Sequence, residues 1–265
     1  MSFPPLLLQN LNSRQPSPYL LYEGSSHDFI GNSALEGIPY IRSLSITCNS
    51  RLKRHDISAL GKVIMSLPNL NRLVLKCFTG KRGGIIPIFP LTPGSMLPSL
   101  RILALTNFWF GPKEAAGWVQ YLRNQQLQHL SLDGNIEMLD FIDCLSGFVP
   151  ALESLTIRIY NAIDPDTNAR TSTVLDAFLS LINAPRAFTA YDLPKEVLYS
   201  AVRYQRSYLR QLRFRGTGYP ELRWSGDQGK ECPFSPEELK ALSAELPRIE
   251  QLGIDLRFKG KTVSI

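Results

Sequence analysis

Long apolar runs are missing from this sequence. Leu6–Leu8 is typical of the longest, far below the roughly 18 to 20 residues that a membrane-spanning helix needs. The N-terminal MSFPPLLLQN has neither the basic start nor the long apolar stretch of a secretory signal, so an intracellular protein is expected, cytoplasmic or nuclear. Cysteine is scarce as well. Cys48, Cys77, Cys144 and Cys232 are widely separated and form no C-x-x-C pair. Histidine is limited to His27, His55 and His129, each in a different context. G-x-S-x-G, H-E-x-x-H and a Gly-rich phosphate loop are all absent, and Gly80-Lys81-Arg82-Gly83-Gly84 lacks the spacing of such a loop. His129, Ser131 and Asp133 match a catalytic triad in composition only. Two-residue steps on a strand are roughly 6 to 7 Å, too long for a proton relay. No catalytic residue, metal ligand or cofactor is expected, and the chain reads as a non-enzyme.

The net charge of +6 is moderate and suits acidic partners without requiring nucleic acid. At 265 residues and 44% apolar content the chain can bury a continuous core, which argues against disorder.

What the sequence does contain is one repeated phrase: an apolar residue, two others, an apolar residue, one other, an apolar residue. It appears as Ile41-Leu44-Ile46, Leu70-Leu73-Leu75, Leu100-Leu103-Leu105, Leu127-Leu130-Leu132, Leu152-Leu155-Ile157, Leu209-Leu212-Phe214 and Ile249-Leu252-Ile254. The starts are separated by 29, 30, 27, 25, 57 and 40 residues. The 57 is close to two steps, which places a degenerate copy near Ala184–Leu193. A fixed period of this kind signals a stacked repeat. Within each phrase the last two apolar residues are two apart and face one side of a strand.

Helical stretches follow the phrases. The three- and four-residue steps of Ile57, Leu60, Val63, Ile64 and Leu67 predict a helix over Leu52–Leu67. Others are predicted over Lys113–Arg123, Glu137–Phe148, Thr173–Ile182 and Lys195–Arg206. The clearest start is Ser235-Pro236-Glu237-Glu238, with a hydroxyl cap, a proline in the first turn and a Glu three residues after the cap; that helix should end before Pro247. Residues 1–36 lie outside the period and form an irregular N-terminal segment or cap, with Tyr19–Tyr22 as a short strand. Residues 37–265 form the repeat domain. Gly80–Met96 and Gly216–Pro233 read as loops inserted into the repeats.

Leu127-x-x-Leu130-x-Leu132-x-x-Asn135 is a full leucine-rich-repeat phrase, and Asn49 stands at the same asparagine position. Leu67-Pro68, Leu97-Pro98, Val149-Pro150 and Leu246-Pro247 recur just before phrases. With repeats near 28 residues, the chain resembles leucine-rich-repeat proteins of the ribonuclease-inhibitor type. Its phrasing is similar to the repeat half of fungal F-box proteins. The resemblance implies an α/β horseshoe solenoid of about seven or eight irregular repeats. The parallel sheet would lie on the concave face and the helices on the convex face. It also implies that each asparagine side chain bonds the backbone turn, although Phe78, Phe108, Tyr160, Thr217 and Arg257 hold that position in other repeats. The implied function is protein–protein interaction, as the substrate-recognition part of an F-box-like ubiquitin ligase system. No F-box is found, since residues 1–36 are too short and proline-broken for one. The chain is then a truncated relative, or a repeat protein without that module.

On this phase Leu73, Leu75, Leu103, Leu105, Leu130, Leu132, Leu155, Ile157, Leu212 and Leu252 point inward. Cys48 and Cys77 fall on adjacent rungs, as small buried residues or, alternatively, a disulfide or metal pair. The concave face carries Arg72, Lys76, His129, Asp133, Arg158, Arg213 and Arg215, flanking a central column of mainly small residues. Counting Asp255, this face is net +3 and suits another protein, in an acidic or phosphorylated segment, because guanidinium forks pair with carboxylate or phosphate. Two further candidates are weighed. Arg203, Arg206, Arg210, Arg213 and Arg215, interleaved with Tyr204, Tyr208 and Phe214, could bind nucleic acid or another acidic polymer. Phe108-Trp109-Phe110 could form an edge-loop hot spot, or seal the core beside the loop at Gly80–Met96.

Overall fold

The computed structural model describes residues 19–23, 40–49, 54–78, 99–108, 110, 112–122, 126–159, 165–183, 185–193, 195–216, 235–258 and 261–264. It has an α/β architecture in which parallel strands alternate with helices, as a stacked solenoid requires. The chain divides into two compact units, Met1–Leu130 and Ser131–Ile265.

In the first unit, β1 (Tyr19–Glu23), β2 (Ser43–Asn49), β3 (Arg72–Phe78) and β4 (Ile102–Thr106) pair in parallel and in chain order. Tyr19–Glu23 is thus a strand inside the segment that the period did not reach. Two helices follow strands here: α1 (Arg54–Ser66) and α2 (Pro112–Leu122). The register is that of the phrase: Leu44, Leu73 and Leu103 lie side by side, as do Ile46, Leu75 and Leu105, and all six are buried. Leu60, Val63, Ile64 and Leu67 of α1 and the turn after it are buried with them.

Strand β5 (His129–Gly134) spans the division between the units. The second unit continues with α3 (Met138–Leu145), β6 (Ser154–Ile159), α4 (Pro165–Ser180), β7 (Ala187–Leu193), α5 (Lys195–Gln205), β8 (Gln211–Gly216), α6 (Pro236–Glu245), β9 (Gln251–Phe258) and β10 (Lys261–Ser264). Strands β6 to β9 pair in parallel, and β10 folds back antiparallel on β9. Strand β7 is the degenerate rung: Phe188 and Ala190 stand beside Leu155 and Ile157 on one side and Leu212 and Phe214 on the other. Alanine replaces a large residue there, and a register shift between Tyr191 and Leu193 follows.

A recurring bond sets each rung against the next. The carbonyl of the residue just before a strand accepts two N–H groups from the following rung. Asn71 and Arg72 donate to Arg42 O at 2.9 and 3.0 Å, and Arg101 and Ile102 to Asn71 O at 2.8 and 3.0 Å. In the second unit Arg186 and Ala187 donate to Glu153 O, Arg210 and Gln211 to Arg186 O, and Glu250 and Gln251 to Arg210 O. These bonds pair backbone groups at the strand starts, which would otherwise be left without partners.

Two expectations change. Helix α4 starts at Pro165, eight residues before Thr173, with Pro165 and Asp166 supplying a proline and an acidic residue in its first turn. Leu252 is 37% exposed rather than buried. It lies in the half of β9 that pairs only with β8, because β10 covers Asp255–Phe258. Asn135, at the asparagine position of the Leu127 phrase, has a buried Oδ1 without a hydrogen-bond partner. A side-chain bond between rungs is made by Asn107, whose Nδ2 donates to Cys77 O at 3.0 Å. Asn107 sits at φ 56°, a left-handed conformation that asparagine tolerates better than most residues. The capping box of α6 matches expectation: Glu238 N donates to Ser235 Oγ, and Ser235 N to the Glu238 carboxylate. The inserted loops, apart from Gly216 at the end of β8, lie outside the described residues.

Candidate functional site

Because side chains alternate along a strand, burying one face of each strand turns the other outward. Strand β6 alternates half-buried and buried residues along its whole length, and β4 does the same. The outward residues form columns fixed by the register. In the first unit these are Tyr19, Ser43, Arg72 and Ile102; Leu21, Ser45, Val74 and Ala104; and Glu23, Thr47, Lys76 and Thr106. In the second they are Ser154, Ala187, Gln211 and Gln251; Thr156, Thr189, Arg213 and Gly253; and Arg158, Tyr191 and Arg215. The middle columns contain small residues except at Leu21, Val74 and Arg213, and Val74 is buried.

The basic residues expected on this face have different surroundings in the two units. Arg72 and Lys76, both on β3, are exposed. Arg42 and Arg101, at the starts of β2 and β4, are exposed too. No described carboxylate pairs with any of these four. In the second unit the Arg158 guanidinium carbon sits 5.7 Å from the Tyr191 ring centroid, a cation–π distance. Arg213 lies along its neighbour Gly253: a methyl group there would come within 3.4 Å of Arg213 Cγ and Nε. Arg210 is ion-paired with Glu250, and Arg170 with Asp140. The side chain of Arg215 lies outside the described residues. His129 is exposed at the start of β5, and Asp133 is half-buried near its end. Four residues of strand separate them by about 13 Å.

The Arg203–Arg215 run does not make one surface. Arg203 is on α5, stacked 5.7 Å from the ring of Tyr204, whose hydroxyl donates to Asp176. Arg213 is on the outer strand face of β8, and Phe214 is buried beneath it in the core. Of the two readings of Phe108-Trp109-Phe110, the core seal describes Phe108 and Phe110. Phe108 and Phe110 are each 1% exposed, and Phe110 meets Trp118 edge-to-face with ring centroids 6.1 Å apart. They seal the core of the first unit and offer no surface; Trp109 lies outside the described residues.

Cys48 and Cys77 are register partners on β2 and β3. Cys77 is a buried free thiol, and burial pushes its pKa up to about 11, far from a reactive thiolate. Among the described residues no group of three or more His, Cys, Asp or Glu could hold a metal ion, and no helix is long and apolar enough to cross a membrane.

Behind the face, polar bonds tie successive helices together. Ser200 Oγ and Tyr204 OH on α5 donate to Asp176 on α4 at 2.7 and 3.1 Å. Buried Gln205 donates from Nε2 to Leu179 O and Ile182 O at 2.7 and 2.9 Å. Tyr199 OH donates to Glu238 on α6 at 3.0 Å. These bonds fix the spacing of the rungs that carry Arg158, Tyr191 and Arg213.

The phrase-based columns missed Arg42 and Arg101, although a signal was present. Each follows directly on the first apolar residue of its phrase. Tyr191 was missed because the degenerate rung had no assigned phase. No protein-family model matches the chain, and no curated protein matches it significantly.

Proposed function

We propose that this chain is a protein-interaction module of the leucine-rich-repeat type that holds a partner protein against the outward faces of its parallel strands. The observation that carries the reading is the strand register. It aligns outward residues of successive rungs into columns, with mostly small residues at the centre and mainly polar or charged ones beside them. Such a surface admits another chain close to the strand backbone and varies its side-chain contacts rung by rung. The resemblance to fungal F-box proteins extends the proposal to substrate recognition in an F-box-like ubiquitin ligase system, and copurification of a Skp-type adaptor with the full chain is the measurement for that extension.

Site-specific photo-cross-linking tests the interaction itself. A photoreactive residue placed at Ala104 or Thr189, both on middle columns, should form an adduct with a defined partner in cells. The same residue at Lys62 or Ser180, exposed on helices α1 and α4, should form none. Equal labelling from all four positions, or none from the strand positions, contradicts the proposal.

A further inference from the structure

We infer that the outward strand face of the first unit takes an acidic, extended protein segment, an inference that rests on the interaction reading and narrows it to a partner chemistry and a place. Charge is divided unequally between the units. Residues 1–130 contain thirteen Lys or Arg against five Asp or Glu, a net of +8, while residues 131–265 contain sixteen against eighteen, a net of −2. The positive charge of the protein therefore belongs to the first unit.

Part of that charge is concentrated where a partner can reach it. Arg72 opens β3 on the outward face with Lys76 four residues beyond it, and Arg42 and Arg101 stand one residue before β2 and β4 at the entry edge of that face. All four are exposed. Residues 40–49, 71–78 and 99–108 contain no Asp or Glu, and Glu23 of β1 stands beside Thr47, at the far end of β2 from Arg42. In the second unit, Arg158, Arg170 and Arg210 are engaged by Tyr191, Asp140 and Glu250.

The spacing fits an extended acidic chain. Adjacent strands are about 4.8 Å apart and residues along a strand about 3.3 Å apart, which sets the Arg42 and Arg72 backbones roughly 6 Å from each other. Alternate residues of an extended peptide repeat at about 6.5 Å, so successive outward carboxylates can meet successive guanidinium groups. Between Lys76 and the arginines, Ser45 and Ala104 are half-buried and Val74 is buried, so the charged side chains stand above a low, weakly polar centre. Nucleic acid fits less well. Single strands bind by stacking bases on aromatic side chains; Ser43–Thr47, Arg72–Lys76 and Ile102–Thr106 contain none, and Tyr19 and Phe78 stand only at the ends of these columns.

The test uses the full chain and a fluorescein-labelled peptide of alternating Glu and Ala, read by anisotropy. Binding is expected to weaken as salt rises. Replacing Arg42, Arg72 and Arg101 together by Gln should reduce affinity roughly tenfold or more, and Arg72→Gln alone severalfold. Replacing Arg203, Arg206 and Lys240 together by Gln, all exposed on or just after helices and off the outward strand face, should leave affinity within about twofold of wild type. The substituted side chains are exposed and the rung bonds at these positions are backbone bonds, so circular dichroism should report an unchanged fold. No binding by the wild type, equal loss in both triple variants, or tighter binding of an oligothymidine than of the peptide overturns the inference. Photo-cross-linking at Ala104 separates the two levels of the argument. A partner adduct that survives the Arg42, Arg72 and Arg101 replacements refutes the acidic-segment inference and leaves the interaction module standing. Absence of adducts from the strand positions in the wild type refutes the module itself.

Discussion

Gln205→Met should cost this protein about 3 kcal/mol of stability. Gln205 is the last residue of α5, and its buried amide donates two hydrogen bonds, to Leu179 O and Ile182 O. Leu179 is in the last turn of α4, where carbonyls have no partner within their own helix. Ile182 lies just beyond that turn and is buried. Methionine keeps the volume and the unbranched shape of glutamine but has no donor. Each carbonyl left buried without a donor costs about 1 to 3 kcal/mol; two of them set the range, and partial relaxation toward water sets the lower half of it. Urea denaturation followed by circular dichroism is the direct assay. The midpoint should fall at unchanged slope, since the surface exposed on unfolding hardly differs. Arg206→Met, one residue on and exposed, is the control and should change stability by less than about 0.5 kcal/mol. A loss below about 0.5 kcal/mol for Gln205→Met would mean that these carbonyls find other donors and that the α4–α5 spacing does not depend on this side chain.

Leu103→Ala should lose about 2 to 5 kcal/mol in the same assay, whereas Leu252→Ala, at a site 37% exposed, should lose clearly less; comparable losses would refute the assignment of Leu252 to an uncovered edge. Ser235→Ala removes one half of the capping box on α6 and should cost about 1 kcal/mol, with faster hydrogen exchange at the Glu238 amide as the local signature. For Cys77 the folded pKa is raised, so its contribution to stability is complete below the unfolded value of 9.0 and is lost as pH climbs toward about 11. Over that window wild type should lose about 2 to 3 kcal/mol more than Cys77→Ala, at about 1.4 kcal/mol per pH unit. Parallel pH profiles would contradict the burial of the thiol.

How much of this was legible depends on how far apart the cooperating residues are. The phrase is local. Its two-residue step alone dictates that Leu73 and Leu75 share a face, and its recurrence requires a buried ladder of such pairs. The α6 start was readable for the same reason, because Ser235, Pro236 and Glu238 act on each other within a single turn. Helix α4 was read too short because its apolar steps begin late, although Pro165 and Asp166 marked its true start. Asn107 was unreadable. Its bond goes to Cys77, thirty residues away, and depends on the register of β3 against β4.

The candidate face follows the same rule. That Arg72 and Lys76 point outward was a matter of phase, and phase is local. Whether an arginine is available to a partner is decided by what stands on the next strand, some thirty residues away. Arg158 meets Tyr191 and Arg210 meets Glu250, while Arg72 is flanked in register by Ser43 and Ile102. Counting charges along columns therefore weighted all the arginines alike. It also ran one sum over the whole chain, although the division at Leu130 falls in the middle of a repeat, where the period gives no sign of it. A periodic sequence fixes the direction of each side chain well before it fixes the company that side chain keeps. On the proposed interaction the second property selects the partner, and it favours the rungs that start at Arg42, Arg72 and Arg101.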